Sequence, residues 1–303
     1  MSDSYEIVIN PPQNVWRILS NEFVRTDGWD FSENDYNNWQ ETIDVTYYVA
    51  VDKESRNPLG CVSIAKWIER DSGEPFFHIG QFYVMGHARS LGIGRKLFRM
   101  AMDLGKVLTM ANKYEHVFGF NKILEPWQLM IMFRPENVQL LEARKHEKFE
   151  IKSVPEVDFT KIHAFDEKIC CLDRRRYLEK NLTHPAASSL VAVDSSENVL
   201  GFICLKLATR DNVNVSGFYA ENQETALHLL NEGLRKLFEN KAKINNVLLV
   251  FSSDNHRVME ITNKLLHGKF SLSAWDRQQF TMKTLRPPSA MVYSVIDGAH
   301  SYV

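Results

Sequence analysis

The sequence predicts an α+β protein built from two copies of one unit, each a mixed, mostly antiparallel sheet flanked by helices. Three observations carry this expectation. Two distant stretches repeat the same hairpin pattern, each hairpin leads to a strand, a loop and an amphipathic helix, and the first copy carries a glycine-bearing turn between strand and helix.

The first hairpin is Tyr48-Val49-Ala50-Val51-Asp52, a polar turn, then Pro58-Leu59-Gly60-Cys61-Val62-Ser63-Ile64. The second is Leu190-Val191-Ala192-Val193-Asp194, a polar turn, then Val199-Leu200-Gly201-Phe202-Ile203-Cys204-Leu205. Both pair β-branched, apolar runs bounded by turn residues, which is the pattern of adjacent strands. The first continues into Gly80-Gln81-Phe82-Tyr83-Val84, and the second into Gly217-Phe218-Tyr219-Ala220. A helix follows each. Ile93, Leu97, Met100, Ala101 and Leu104 fall on one stripe, as do Ala226, Leu230, Leu234 and Leu237 within 224–238. Such spacing places apolar side chains on one helix face. Self-similarity of hairpin, strand, loop and helix in one order indicates duplication. The boundary is expected in the polar stretch 135–152, read as a linker or a connecting helix, giving domains 1–140 and 141–303.

Composition narrows the functional classes. The chain has 303 residues, a net charge of -2 and no polybasic run, so no nucleic-acid partner is expected, because such binding needs clustered cations. Arg174-Arg175-Arg176 reads as a solvated helix face. No apolar run approaches membrane-spanning length and the first residues lack a secretory pattern, so a cytoplasmic protein without membrane contact is expected. Cys61, Cys170, Cys171 and Cys204 show neither a C-x-x-C pair nor zinc spacing, and no metal is expected. Nothing in the pattern fixes an oligomeric state.

The chemistry is concentrated in Gly86-His87-Ala88-Arg89-Ser90-Leu91-Gly92-Ile93-Gly94-Arg95-Lys96-Leu97, after the strand 77–84. A helix N-terminus presents unpaired N–H groups and a partial positive charge, and glycines let a ligand approach the backbone, so the segment suits a diphosphate. It is not a phosphate loop of the G-x-x-x-x-G-K-[ST] type, and Leu97 stands where a dinucleotide fingerprint needs its third glycine. The pattern [RQ]-x-x-G-x-[GA] is met at Arg89, Gly92 and Gly94.

That pattern and its setting resemble the acyl-CoA loop of the GNAT N-acetyltransferase superfamily, over residues 5–134. The resemblance implies that backbone of Phe82, Tyr83 and Val84 binds pantetheine. It implies that Arg89, Ser90, Leu91, Gly92, Ile93 and Gly94 hold the pyrophosphate of acetyl-CoA, with Arg95 adding a cation. The implied reaction is direct attack of an amine, from a small molecule or a peptide, on the thioester. Tyr114, ahead of Gly119-Phe120, resembles the tyrosine that protonates the departing thiolate, with a gap one residue longer than usual. His78 stands where relatives carry a carboxylate base. A histidine titrating near neutral pH could accept the proton directly or through a water; the other reading is a histidine satisfied in the sheet or exposed at its edge.

The whole chain is also similar to tandem proteins in which a GNAT domain precedes a divergent copy, through Phe165-Asp166, Arg174-Arg175 in a helix, and the second hairpin. The two GNAT-like domains differ at the loop. The second reads Ala220-Glu221-Asn222-Gln223-Glu224-Thr225, without glycine and with two carboxylates that repel a pyrophosphate. The segment 16–39, with Trp16, Phe23, Trp29, Asp30, Phe31, Glu33, Asp35, Tyr36 and Trp39, is expected either to wall the amine site or to form an amphipathic helix pair. Against an acetyltransferase stand two other readings, an acyl-CoA-binding protein without catalysis and a scaffold with a vestigial loop.

Overall fold

The computed structural model describes residues 4–26, 28, 30–104, 120–142, 146–239, 243–281 and 284–301. The first half opens with strand β1 (Tyr5–Ile9) and helices α1 (Gln13–Thr26) and α2 (Asp35–Thr42). Strands β2 (Asp44–Asp52), β3 (Pro58–Ile68) and β4 (Pro75–Val84) follow, and then helix α3 (Ile93–Leu104). The four strands form one antiparallel sheet in the order β1-β2-β3-β4. Alternation along β4 decides what covers each face. Phe82 meets Phe98 of α3, while Tyr83 meets Phe23 of α1. The helices therefore sandwich the sheet.

The second half carries β7 (Glu150–Ser153), α4 (Phe159–Asp166), α5 (Arg175–Leu182), β8 (Ala187–Val193), β9 (Val199–Leu207), β10 (Asn212–Ala220), α6 (Gln223–Glu239), β11 (Asn246–Ser252), α7 (His256–Leu266), β12 (Ser271–Asp276) and β14 (Val292–Ser294). The duplicated hairpin is β2-β3 in one half and β8-β9 in the other. Even its irregularity is repeated. Between Cys61 and Ser63 the register with β4 slips at Gln81, whose φ is 42°, and between β9 and β10 it slips at Gly217, with φ 97°. These are β-bulges, which bend a strand away from its neighbour.

Two connections cross between the halves. Strand β6 (Gln128–Phe133), which precedes the expected boundary, pairs with β11 and β12 inside the second sheet, whose order is β12-β6-β11-β10-β9-β8-β7. The short β5 (Lys122–Ile123) pairs with β13 (Gln279–Phe280). In return, the segment after β14 runs back into the first half, where the imidazole of His300 lies against Trp39 and Tyr47. Within the stretch 135–152, Pro135–Asn137 form a 3-10 turn and Glu150 begins the edge strand β7, which pairs with β8.

The cores follow from this exchange. One apolar cluster joins α1, α2 and the first sheet to Phe165, Phe202, Tyr219, Ile296 and Ala299 of the second half. The other lies between the second sheet and α6 and α7, and it includes Ile131 and Phe133 of β6. Buried ion pairs tie the elements further. Lys206 on β9 reaches Asp35 on α2 at 2.9 Å, and Arg174 reaches Asp166 at 2.6 Å, so Arg174 is a buried ion-pair partner and not part of a solvated helix face. No helix among the described residues is long and apolar enough to cross a membrane.

Candidate functional site

The turn between β4 and α3 is built for close approach to backbone. Gly86–Ala88 form a 3-10 turn, Arg89 is extended, and Ser90 and Gly92 adopt left-handed φ of 71° and 78° before the helix begins at Ile93. Gly92 is the residue type such a φ favours, and a serine tolerates it only at a cost. Successive turns of this kind leave N–H groups facing one concavity, which is the geometry of an anion nest. No carboxylate stands in the first turn of α3, so the helix field there is unopposed. Arg89, Ser90, Leu91, Gly92 and Arg95 are exposed, Ile93 is buried as a packing residue, and Gly94 is half-buried. The Arg89 guanidinium donates to the Val84 carbonyl at 3.2 Å and lies over the Tyr83 ring. It thus braces the loop on β4.

Strand β4 is hydrogen-bonded to β3 and, among the described residues, to no other strand. Phe82, Tyr83 and Val84 therefore lie at the free edge of the sheet, directly before the loop. The chain's own residues fit an acyl-CoA: a strand edge for the amide-bearing arm, exposed left-handed backbone for the diphosphate, and cations at Arg89 and Arg95.

In the second half the corresponding opening is filled. Strands β10 and β11 run parallel over 212–214 and 246–248 and then diverge, and β14 enters the gap. The Val295 N–H donates to the Val250 carbonyl and the Gly217 N–H to the Val295 carbonyl, while the Ser294 hydroxyl donates to the Val215 carbonyl. Two features thus oppose an acyl-CoA there: the carboxylates at the turn, legible in the sequence, and this inserted strand, which was not.

His78 lies on the face of β4 that meets the returning segment. Burial pushes its imidazole down to about 4, with His300 adding to the effect and Asp297 opposing it. Its environment thus favours the neutral imidazole and makes it a weak base. Gly80 explains why the segment fits, since any Cβ there would collide with the Ala299 carbonyl. His300 Nε2 lies 3.1 Å from the Ser63 hydroxyl and 3.2 Å from that of Tyr47, and the Trp67 indole donates to the His300 carbonyl. Asp297 is buried beside them. Burial favours its neutral acid, but His300, the Ala299 N–H and Lys206 hold it well below the carboxylate range. Tyr114, Gly119 and Trp29 lie outside the described residues. The thiols behave as packing groups: burial raises Cys61, Cys170 and Cys204.

Sequence reasoning missed one part of the site. A cavity of about 120 Å³ lies between the halves, walled by Phe31, Trp39, Lys206, Leu248, Trp275 and the segment 294–299. The acidic, aromatic stretch 16–39 supplies part of that wall, through Asp30, Phe31, Asp35 and Trp39.

Residues 13–122 match the model of the acetyltransferase (GNAT) family. No curated protein matches the chain in sequence. Among solved structures, a tandem GNAT protein from the clavulanic acid biosynthesis pathway superposes with a TM-score of 0.58 at 14% identity, over 91% of this chain and 97% of that one. A GCN5-related N-acetyltransferase from Sphaerobacter thermophilus gives 0.54 at 13% identity, over 92% and 96%. A GCN5-related glucosamine N-acetyltransferase region of a fungal multi-domain GH3 β-N-acetylglucosaminidase gives 0.60 at 9% identity, over 92% of this chain, which spans 38% of that protein's length. Residues 13–122 are thus a domain of the acetyltransferase (GNAT) family, and the chain as a whole shares its fold with a tandem GNAT protein.

Proposed function

We propose that the protein is an N-acetyltransferase, carrying an acetyl group from acetyl-CoA to an amine of a small molecule or peptide in the cytoplasm. Its first domain, about 1–140, holds the donor, and its second, about 141–303, completes the acceptor side. The observation that carries this reading is the turn from Arg89 to Gly94, with its left-handed Ser90 and Gly92 and a helix start free of carboxylates.

Bound acetyl-CoA supplies an electrophilic thioester carbonyl and a thiolate leaving group. The chain's residues do the rest. Phe82, Tyr83 and Val84 orient the pantetheine arm by backbone pairing, and the N–H groups from Arg89 to Gly94, with Arg95, hold the diphosphate. Placement of donor and acceptor side by side is the main source of rate. Tyr114 gives its proton to the thiolate. His78, neutral at pH 7, accepts a hydrogen bond or a proton relayed through water, and its depressed pKa makes it a poor direct base.

That weakness, with no carboxylate along β4, favours a second reading: an acyl-CoA-binding protein without turnover. Thiol release from acetyl-CoA, followed with a chromogenic disulfide across a panel of primary amines, separates the two. The enzyme reading predicts release above buffer with at least one amine, and a fall of about 10²-fold in Tyr114→Phe. Acetyl-CoA binding with release no faster than buffer, in both proteins, would establish the second reading.

A further inference from the structure

The residues just ahead of β7 meet helix α6 through a pair of imidazoles. His146 Nε2 and His228 Nε2 stand 2.7 Å apart, and the rings meet edge to face with their centroids 3.9 Å apart. His146 also stacks on Phe149, at 4.2 Å and 12°, and Phe149 is buried in the core that α6 covers. Leu141, earlier in the chain, is fastened to the same helix. Its N–H donates to Asn231 Oδ1 at 2.8 Å, and Arg235 donates to its carbonyl.

A contact this short between two ring nitrogens is a hydrogen bond when one carries a proton and the other a lone pair. A first proton added to the pair leaves that lone pair in place. A second occupies it, and sets two N–H groups and two positive charges against each other. The charged groups around the pair are named quickly. On α6, Glu224 stands 3.9 Å from His146 Nδ1 and is shared with Lys148 at 3.3 Å, while Glu232 is paired with Arg235 at 3.3 Å. On the approach to β7, Glu142, Glu147 and Lys148 line the same opening. At His228, burial and then His146 disfavour the charged ring, and Glu224 opposes them without overcoming them.

We propose that His146 and His228 form an acid-released clasp. It holds the segment 146–149 on α6 while at most one of the two rings is protonated, and lets it go when both are. Release uncovers the face of Phe149 on which His146 stacks and frees the approach to the edge strand β7. The clasp depends neither on the acyl-CoA loop nor on the function proposed above.

Hydrogen exchange of the full chain at pH 7.5 and 5.5, corrected for the intrinsic effect of pH on exchange, tests this in wild type and in His228→Gln. The glutamine amide can donate to or accept from His146 and does not titrate. At pH 5.5, one unit below the ordinary histidine value, a released ring is protonated about tenfold more often than not, and the closed clasp excludes that proton. Between the two pH values, amides 146–153 of the wild type are therefore expected to lose about tenfold more protection than those of the variant. Equal losses in wild type and a folded His228→Gln would overturn the proposal. NMR titration of the wild-type histidine rings decides even where the variant does not fold. The pair is expected to take up its two protons at least about one pH unit apart, and two rings that titrate together would overturn it.

Discussion

Replacing Lys206 by methionine tests whether the two halves are clamped through their cores. Lys206 lies on β9 and Asp35 on α2, so the 2.9 Å pair spans the halves, and the side chains are 7% and 5% exposed. Burial disfavours the ammonium, but Asp35, by attraction and hydrogen bond, together with Cys204 and Asp297 more than offsets it and raises its pKa. Methionine keeps the apolar stem and removes the charge. Asp35 is then left with the Ser32 N–H, and Asn181 loses the donor that reached its Oδ1 at 3.0 Å. Orphaning one member of a buried pair costs about 3–5 kcal/mol. A chain of 303 residues has an unfolding entropy of about 0.6 kcal/mol per kelvin, so the loss corresponds to a fall in Tm of about 5–8 °C. Calorimetry of wild type, Lys206→Met, Asp35→Asn and the double variant reads both the cost and the coupling. The double variant is expected to be more stable than the sum of the single losses allows, because it leaves no lone charge. A Tm for Lys206→Met within about 1 °C of wild type would refute the reasoning.

Two further predictions concern the strand that faces the returning segment. A His78 pKa depressed from 6.5 to about 4 contributes stability that is fully present above pH 6.5 and is lost as the pH falls toward 4, because the unfolded chain binds the proton more readily. The loss is at most about 3 kcal/mol, and smaller to the extent that solvent screens a ring that is only partly buried. Melting curves across that window should show a shallower acid slope for His78→Gln, and an identical slope would contradict the assignment. Gly80→Ala places a methyl group against the Ala299 carbonyl and should cost about 1–3 kcal/mol by urea titration. An unchanged midpoint would mean that the segment does not seat there.

The repeat and the loop were legible because each is encoded locally. Gly60 and Gly201 hold equivalent places in two hairpins of matching residues, and Arg89, Gly92 and Gly94 meet a short pattern beside a strand and an amphipathic helix. The bulges were less visible, since the slip falls on Gln81 in one copy and Gly217 in the other, and only glycine suggests a left-handed φ. The exchange of strands was not legible. Gln128–Phe133 reads as an apolar strand in either sheet, and its partners, β11 and β12, are chosen by contacts distant in sequence. Asp297 and His300 lie in Ile296-Asp297-Gly298-Ala299-His300, which has no periodicity and no spacing motif to mark it. The surroundings of His78 are hidden for the same reason. Its proton affinity is set by burial and by His300, and neither is visible from its neighbours in β4.

The account turns on whether the loop from Arg89 to Gly94 holds an acyl-CoA. The direct measurement is a thermal melt of wild type and Gly92→Glu, with and without acetyl-CoA. Glutamate strains a φ of 78° and puts a negative charge where the diphosphate is expected. Acetyl-CoA at about 100 times its dissociation constant should stabilise the wild type by about 2.7 kcal/mol, a rise of about 4 °C for a chain of this length, and should leave Gly92→Glu unchanged. No response in the wild type, or an equal rise in both proteins, would contradict the account.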